Sequence, residues 1–232
     1  MLQPTTTPQP LIGINIGGEN AVANSVQLFL LVTVLSLLPS IIVMATSFTR
    51  LVIVFHFVRQ AMGTQSVPSN QILVGLALIL TFFVMGPTLQ EIKIKAYDPM
   101  VAGQIGLNDA LSRAADPLKT FMLKYTREKD LALFIHLSKG PKPKTRAEVP
   151  LSALAPAFVI SEIKTAFEIG FLIFLPFLIV DLVVASILLA MGMMMLPPVL
   201  ISLPFKILLF VMVDGWHLLV LSLMQGYTGA GV

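Results

Sequence analysis

Charged residues are concentrated in one part of this chain, and the rest is almost continuously apolar. Residues 88–150 hold 18 of the 27 Asp, Glu, Lys and Arg residues, whereas the other 169 residues hold nine. Hydrophobic residues make up 56% of the 232 residues and charged residues only 12%, about half the charged share of a soluble domain. This pattern excludes an ordinary soluble domain and indicates a membrane-class protein with one charged extramembrane part.

The basic character of the chain is local to that charged part. The sequence pI of about 9.3 arises mostly there, because residues 88–150 hold eleven of the 15 Lys and Arg residues. A local basic surface does not indicate nucleic-acid binding, and we expect none. Cysteine is absent, which excludes disulfides and thiolate metal sites.

Four apolar segments lie outside the charged part, and their lengths and composition predict helices. The first runs from about Val26 to Phe48 without a charge, and Pro39 predicts a kink within it. The second runs from about Ser69 and is predicted to end at Gly86-Pro87, because proline lacks the amide hydrogen that a helix needs. The remaining two cover residues 151–196 and 199–225.

We expect an all-α protein in which these segments form two membrane-class helical hairpins beside a smaller extramembrane helical domain. In that smaller domain Asp116-Pro117 is predicted to start a helix, as an N-cap followed by proline. Phe121 and Phe134 lie at apolar positions with helical spacing and are expected to pack the domain. In chain order, the predicted parts are a flexible N-terminal segment (1–24), the first hairpin (25–87), the charged domain (88–150), the second hairpin (151–225) and a flexible tail (226–232).

The first and fourth segments differ in how readily they would enter lipid. Leu, Ile, Phe and Val contribute about −0.3 to −0.6 kcal/mol each, whereas a central Asp or Lys costs about 2.5 to 3.5 kcal/mol. The first segment has no charge, so its insertion is favourable by about 4 to 8 kcal/mol. In the fourth segment Lys206 and Asp214 cancel most of the gain. We therefore expect the second hairpin to bury its charges against protein.

Charges within the second hairpin need partners, because an ionised side chain in an apolar helix is costly. Lys164 and Glu168 are four residues apart and predict an intrahelical pair. Glu162 and Lys206 have no partner close in sequence. We predict that these two pair with each other between adjacent subunits.

Two further acids, Asp181 and Asp214, are also expected to make contacts between helices or subunits. Asp214 lies three residues before His217, so these two side chains could meet. A competing hypothesis is a proton relay through Asp181, Asp214 and His217, as in a proton-coupled secondary transporter. Such a transporter predicts internal repeats, and we see no repeat in the sequence.

A run of three methionines, Met193, Met194 and Met195, lies between the third and fourth segments. Methionine is long, unbranched and deformable, so it fills apolar space without holding one shape. Gly192 precedes the run, and Pro197-Pro198 follow it and prevent a helix from continuing. The sequence predicts a soft apolar loop between two helices, for which ordinary packing at a turn is the plain alternative.

Motifs of enzyme chemistry are absent from the sequence. It contains no P-loop, no H-E-x-x-H metal motif and no nucleophile elbow. The three histidines lie 80 or 81 residues apart. We expect neither a catalytic site nor a cofactor or metal.

Several stretches together resemble the FliP family of flagellar type III export-gate subunits, and are similar to the corresponding subunit of virulence-type injectisomes. They cover roughly residues 28–225, which is more specific than any single motif. The stretches are Thr46–Arg50 with Arg59–Gly63, Pro68–Asn70 with Leu80–Met85, Phe121–Phe134, and Ser161–Phe167 with Met193–Pro198, Pro204–Lys206 and Val213–His217.

The resemblance implies a function and an assembly that composition does not. Subunits of this family form a helical ring pore, with about five copies joined by FliQ-type and FliR-type subunits. The ring is a channel for unfolded flagellar proteins at the bacterial inner membrane, in the flagellar basal body, with much of it on the periplasmic side. A purely structural scaffold without a pore is a third reading.

The resemblance also implies roles for individual residues. The methionine-rich loop of the family acts as a gasket in the pore and matches Met193, Met194 and Met195. A buried acid of the family matches Glu162, and the lysine of its P-F-K motif matches Lys206. Precursors in the family often carry a signal peptide. Residues 1–18 lack the features of one, so we expect that it is absent or already removed.

Overall fold

The structure is a computed structural model that describes residues 21–138, 140, 143–193 and 196–228. In those residues every regular element is a helix, so the predicted all-α class is confirmed. The helices are α1 (Ala21–Met44), α2 (Phe48–Met62), α3 (Asn70–Ile92), α4 (Asp98–Val101), α5 (Leu107–Tyr125), α6 (Glu128–Leu137), α7 (Leu151–Ala190), α8 (Pro198–Met212) and α9 (Gly215–Thr228), with a π-helical turn at Lys93–Tyr97 and a 3-10 turn at Arg146–Glu148.

The chain divides at Ile42 into two compact units, and the first unit contains most of α1. Pro39 lies inside this helix. The hydroxyl of Thr33 donates to the carbonyl of Phe29 at 2.8 Å, and Ser36 donates to the carbonyl of Thr33 at 2.8 Å. Because both hydroxyls bond to their own helix, α1 needs no outside partner for them.

In the second unit, α2 packs mainly against α7 and also against α3. Its buried face carries Leu51, Val54, Phe55 and Val58 at helical spacing. Gly63 ends the helix in the left-handed conformation, with φ of +75°, which glycine adopts without the penalty that a Cβ brings. A turn therefore follows α2 at Gly63.

Helix α3 does not end at Gly86-Pro87, so the predicted stop is wrong. The helix runs through Pro87 to Ile92 and continues through the π-helical turn into α4. A proline inside a helix costs about 3 kcal/mol. The same helix buries Leu73 in one core cluster and Met85 in a second core cluster. Burial of these two side chains offsets the cost of the proline.

A second core cluster joins α5, α6, the start of α7 and the end of α9. Phe121 is buried at its centre, and Phe134 is partly buried at its edge. Helix α5 begins at Leu107 and contains Pro117, so the start predicted at Asp116-Pro117 is wrong. An amphipathic surface that extends back from Phe121 to the buried Ala110 favours a longer helix.

Two helices among the fully described residues are long and apolar enough to span a membrane: Asn70–Val101 and α7. The bent pair α8 and α9 counts as a third if it forms one span. The predicted fourth segment is thus two helices that meet at 61°. At the bend, Asp214 has φ of +51°, and a Cβ on Gly215 would lie 2.3 Å from the ring of Phe210.

The predicted flexible tail begins too early. Helix α9 continues to Thr228, and Tyr227 is buried in the second core cluster. Aromatic packing holds this end of the helix, because the Tyr227 ring lies 5.0 Å from that of Tyr125 and 6.3 Å from that of Phe121. Residues 229–232 lie outside the described residues.

Candidate functional site

Helix α7 ends in a glycine cap that fixes the direction of the loop after it. The amide of Gly192 donates to the carbonyl of Leu189 at 3.0 Å, and the amide of Met193 donates to Leu188 at 3.0 Å. Gly192 has φ of +73°. These two bonds and the left-handed glycine form a Schellman motif, which turns the chain sharply away from the helix axis.

The other side of the turn is set by proline. Pro197 is extended, with φ of −68° and ψ of 114°, and Pro198 is the first residue of α8, the helical position that proline tolerates best. On either side of Gly192, Met191 is 66% exposed and Met193 is 41% exposed. Met194 and Met195 lie outside the described residues. The turn therefore presents exposed thioether side chains at the end of the α7–α8 hairpin.

A salt bridge braces this hairpin below the turn. The Nζ of Lys206 on α8 donates to Oδ2 of Asp181 on α7 at 2.6 Å, and the hydroxyl of Ser202 donates to Oδ1 at 2.5 Å. Lys206 is buried, and the side chain of Asp181 is 27% exposed. The carboxylate thus uses both oxygens to hold α8 against α7.

A second buried ion pair joins α2 to α7. Arg50 donates from Nε to Oε2 of Glu162 at 3.0 Å and from Nη2 to Oε1 at 2.5 Å, a bidentate geometry. The side chain of Glu162 is fully buried and that of Arg50 is 6% exposed. The hydroxyl of Tyr227 on α9 donates to Glu162 at 2.5 Å, and the guanidinium lies 4.2 Å from the centre of the Tyr227 ring.

The predicted pairing of Glu162 with Lys206 is therefore wrong. Each side chain already has a partner of opposite charge within this chain: Arg50 for Glu162 and Asp181 for Lys206. The reason is geometric, because Glu162 faces α2 whereas Lys206 contacts Asp181, which lies nineteen residues further along α7. Both carboxylates and both cations are neutralised without a neighbouring subunit.

A third polar cluster lies next to Glu162, where α6 meets α7. Asp130 accepts from Ser161 at 2.7 Å and from Arg127 Nη2 at 2.8 Å, and the amide of Arg127 donates to the Ser161 hydroxyl at 2.8 Å. Burial disfavours the ionised carboxylate of Asp130. The hydrogen bonds from Ser161 and Arg127, with the nearby positive charges, outweigh burial and hold its pKa below the ordinary value.

The remaining charges of the second hairpin are exposed. Lys164 and Glu168 lie 3.7 Å apart as the sequence predicts, and Arg127 is also 3.7 Å from Glu168. Asp214 and His217 are both exposed and do not form an ion pair. Among the described residues no group of three His, Cys, Asp or Glu is placed to hold a metal ion.

The sequence analysis missed Arg50 and Tyr227 as partners of Glu162, and it missed the pairing of Asp181 with Lys206. Only the Asp181–Lys206 pairing had a signal in the sequence. Asp181 lies twelve residues before Met193, and Lys206 lies twelve after Met194. In an antiparallel hairpin that turns at the methionine run, equal distances place residues opposite each other. No comparable signal links Glu162 to Arg50, because 112 residues separate them.

Comparison with known proteins gives one consistent result. The FliP family matches residues 31–223. The chain is 57% identical over 206 residues to the flagellar biosynthetic protein FliP of Bacillus subtilis (strain 168), covering 89% of this chain and 93% of that protein. It is 54% identical to the protein of that name from Pectobacterium carotovorum subsp. carotovorum, covering 88% and 79%, and 50% identical to that from Aquifex aeolicus (strain VF5), covering 94% and 92%.

Proposed function

This chain belongs to the FliP family, and we propose that it is a channel-forming core subunit of the flagellar type III export gate. Family membership makes it a component of flagellar biosynthesis and protein export, and its apolar helices fit a membrane location. The proposed activity is passage of unfolded flagellar proteins across the inner membrane. It is not enzymatic, and the family is not one of enzymes.

The observation that carries the proposal is the α7–α8 turn. Its two ends are rigid, because a Schellman cap ends α7 and two prolines start α8. Beside the cap, Met191 and Met193 are exposed. Fixed ends and soft apolar side chains suit a loop that projects into a pore.

A soft apolar ring meets two opposing demands on an export channel. When the channel is idle, apolar side chains in a narrow constriction disfavour water and ions. When cargo arrives, unbranched methionine side chains change rotamer and accommodate residues of different size. The brace between Asp181 and Lys206 keeps the helices in place while the loop yields.

The same proposal includes partners and location. Several copies of the chain, about five, would form a ring with FliQ-type and FliR-type subunits. Unfolded export substrates would pass through it, with much of the ring on the periplasmic side of the inner membrane. The support is the large share of exposed apolar surface on α7 and α8, which a lone chain leaves uncovered.

Replacement of Met193, Met194 and Met195 with alanine tests the proposal. Alanine removes bulk without adding charge, so the complex should assemble while small-solute and ion leak across the inner membrane rises. Leak is measured by dye entry into cells that carry the variant. We expect export to continue, because a wider constriction still admits an unfolded chain.

The control for this experiment is Met212→Ala. Met212 is 76% exposed but lies at the end of α8, away from the turn, so its loss should leave leak at the wild-type level. A triple variant that assembles normally and leaks no more than wild type would refute the gasket.

A further inference from the structure

The described methionines differ widely in exposure. Met62, Met85 and Met122 are 6%, 2% and 3% exposed, and each belongs to a core cluster. Met191 and Met193 are 66% and 41% exposed on the α7–α8 turn. A small solute therefore reaches the thioethers of the turn, and those of the exposed Met44 and Met212, but not those of the cores.

An exposed thioether is open to one specific reaction. Its sulfur lone pair attacks one oxygen of a peroxide, an S–O bond forms, the O–O bond breaks, and the displaced oxygen leaves as water after proton transfer. The sulfur is oxidised by two electrons to a sulfoxide and the peroxide is reduced. An apolar, flexible side chain becomes a polar hydrogen-bond acceptor.

We propose that the α7–α8 turn is a peroxide-sensitive modification site, at which conversion of methionine to its sulfoxide opens the resting seal. The effect on the seal rests on the proposed function of the turn, whereas the modification rests only on exposure and thioether chemistry. The oxidant is a small peroxide, and reduction of the sulfoxide by methionine sulfoxide reductases makes the change reversible.

Oxidation of the turn methionines does not break the contacts that hold the turn in place. The bonds that shape the turn come from backbone amides of Gly192 and Met193 and from the Asp181–Lys206 pair, and none of them uses a sulfur atom. Oxidation therefore changes the polarity of the loop surface and leaves its supports intact. A polar sulfoxide holds water, which removes the dewetting that closes a narrow apolar constriction.

The first experiment locates the modification. The purified complex in mild detergent is treated with hydrogen peroxide, and sulfoxide at each methionine is followed by peptide mass spectrometry. We expect several-fold faster conversion at Met191 and Met193 than at Met62, Met85 and Met122. Equal rates at the turn and in the cores would overturn the proposed site.

The second experiment measures the consequence, as the ratio of dye leak after and before peroxide. Wild type should show a ratio several-fold above one that falls when a methionine sulfoxide reductase is added. A variant with leucine at Met191, Met193, Met194 and Met195 should show a ratio near one, because the run then has no thioether. Met212→Leu, the matched control, should behave as wild type.

The outcomes separate this inference from the proposed function. If the triple alanine variant leaks but peroxide oxidises the turn without raising leak, the seal stands and the peroxide sensitivity is refuted. If the leucine variant retains the full peroxide response, another residue is responsible and the inference is also refuted. If the triple alanine variant does not leak, the gasket itself fails.

Discussion

At the scale of single residues, the buried ion pair between Arg50 and Glu162 requires that both members be present. Two charges have left water, and the bidentate contact and the Tyr227 hydroxyl replace their hydration. A buried pair adds little net stability compared with apolar residues of the same volume. Loss of one member, however, leaves the other buried and unpaired, which is costly.

We expect Glu162→Gln to lower the free energy of unfolding by about 3 to 5 kcal/mol, because Arg50 loses its counter-charge. The matched control is Glu168→Gln on the same helix. Its ion pairs are exposed and should contribute only about 0 to 1 kcal/mol. Denaturant or thermal unfolding of the purified protein in detergent measures both. Equal losses in the two variants would contradict a special role for the buried pair.

The partners of buried charges were only partly predictable from the sequence. The need for partners follows from charge in an apolar helix, and Glu162 and Lys206 do have them. The local pair of Lys164 with Glu168 follows from helical spacing. The identity of Arg50 does not follow, because a contact across 112 residues depends on how α2 docks on α7. Tyr227 was missed because glycines around it predict a loose tail.

At the scale of helices, the composition of the sequence predicted which segments are helical better than it predicted where each helix begins and ends. Pro87 and Pro117 were wrongly predicted to mark helix ends. Each lies inside a helix, because packing of the residues on both sides outweighs the free-energy cost of proline in a helix. The opposite error occurred at Asp214-Gly215, where an apolar run concealed a bend. That dipeptide is a turn signal, so the break between α8 and α9 was available from the sequence.

The contact between α2 and α7 depends on a glycine. An added Cβ at Gly170 would lie 2.5 Å from ring atoms of Phe57 and 3.0 Å from its Cβ, so the whole Phe57 side chain would have to move. The Phe57 ring also packs edge-on against Phe167 at 5.0 Å. Helix propensity alone favours alanine at this position by about 1 kcal/mol, so close packing must be the reason for glycine here.

We therefore expect Gly170→Ala to destabilise the protein by about 1 to 3 kcal/mol through overpacking. Gly75→Ala is the control, because Gly75 is also inside a helix but has no atom within 4 Å of an added Cβ. It should be neutral or slightly stabilising. Thermal unfolding in detergent compares the two, and Phe57→Ala should relieve part of the Gly170→Ala defect. Similar shifts at both glycines would refute the packing argument.

At the scale of the whole molecule, the buried charges of Arg50, Glu162 and Lys206 have partners, whereas much of the apolar surface has none. Exposed large apolar side chains outnumber buried ones among the described residues. In the most apolar 18-residue stretch of α7 only 11% of the residues are buried, and in the most apolar 18-residue stretch of Asn70–Val101 only 22% are buried. Internal ion pairs remove the need for a neighbouring subunit to neutralise Glu162 and Lys206. What remains for lipid or partner subunits to cover is therefore apolar surface.

The proposed ring makes a different prediction from a lone chain in lipid. A carbene reagent dissolved in the bilayer labels apolar side chains that face lipid. With FliQ-type and FliR-type subunits present, we expect labelling of Leu200, Leu208 and Val211 on α8 to fall several-fold relative to the chain expressed alone, because neighbouring subunits cover that face. The buried Leu51 and Val54 of α2 should stay unlabelled in both samples, which reports that the lone chain is folded. If α8 is labelled equally with and without the partner subunits while α2 stays protected, this surface faces lipid and the ring as proposed is wrong.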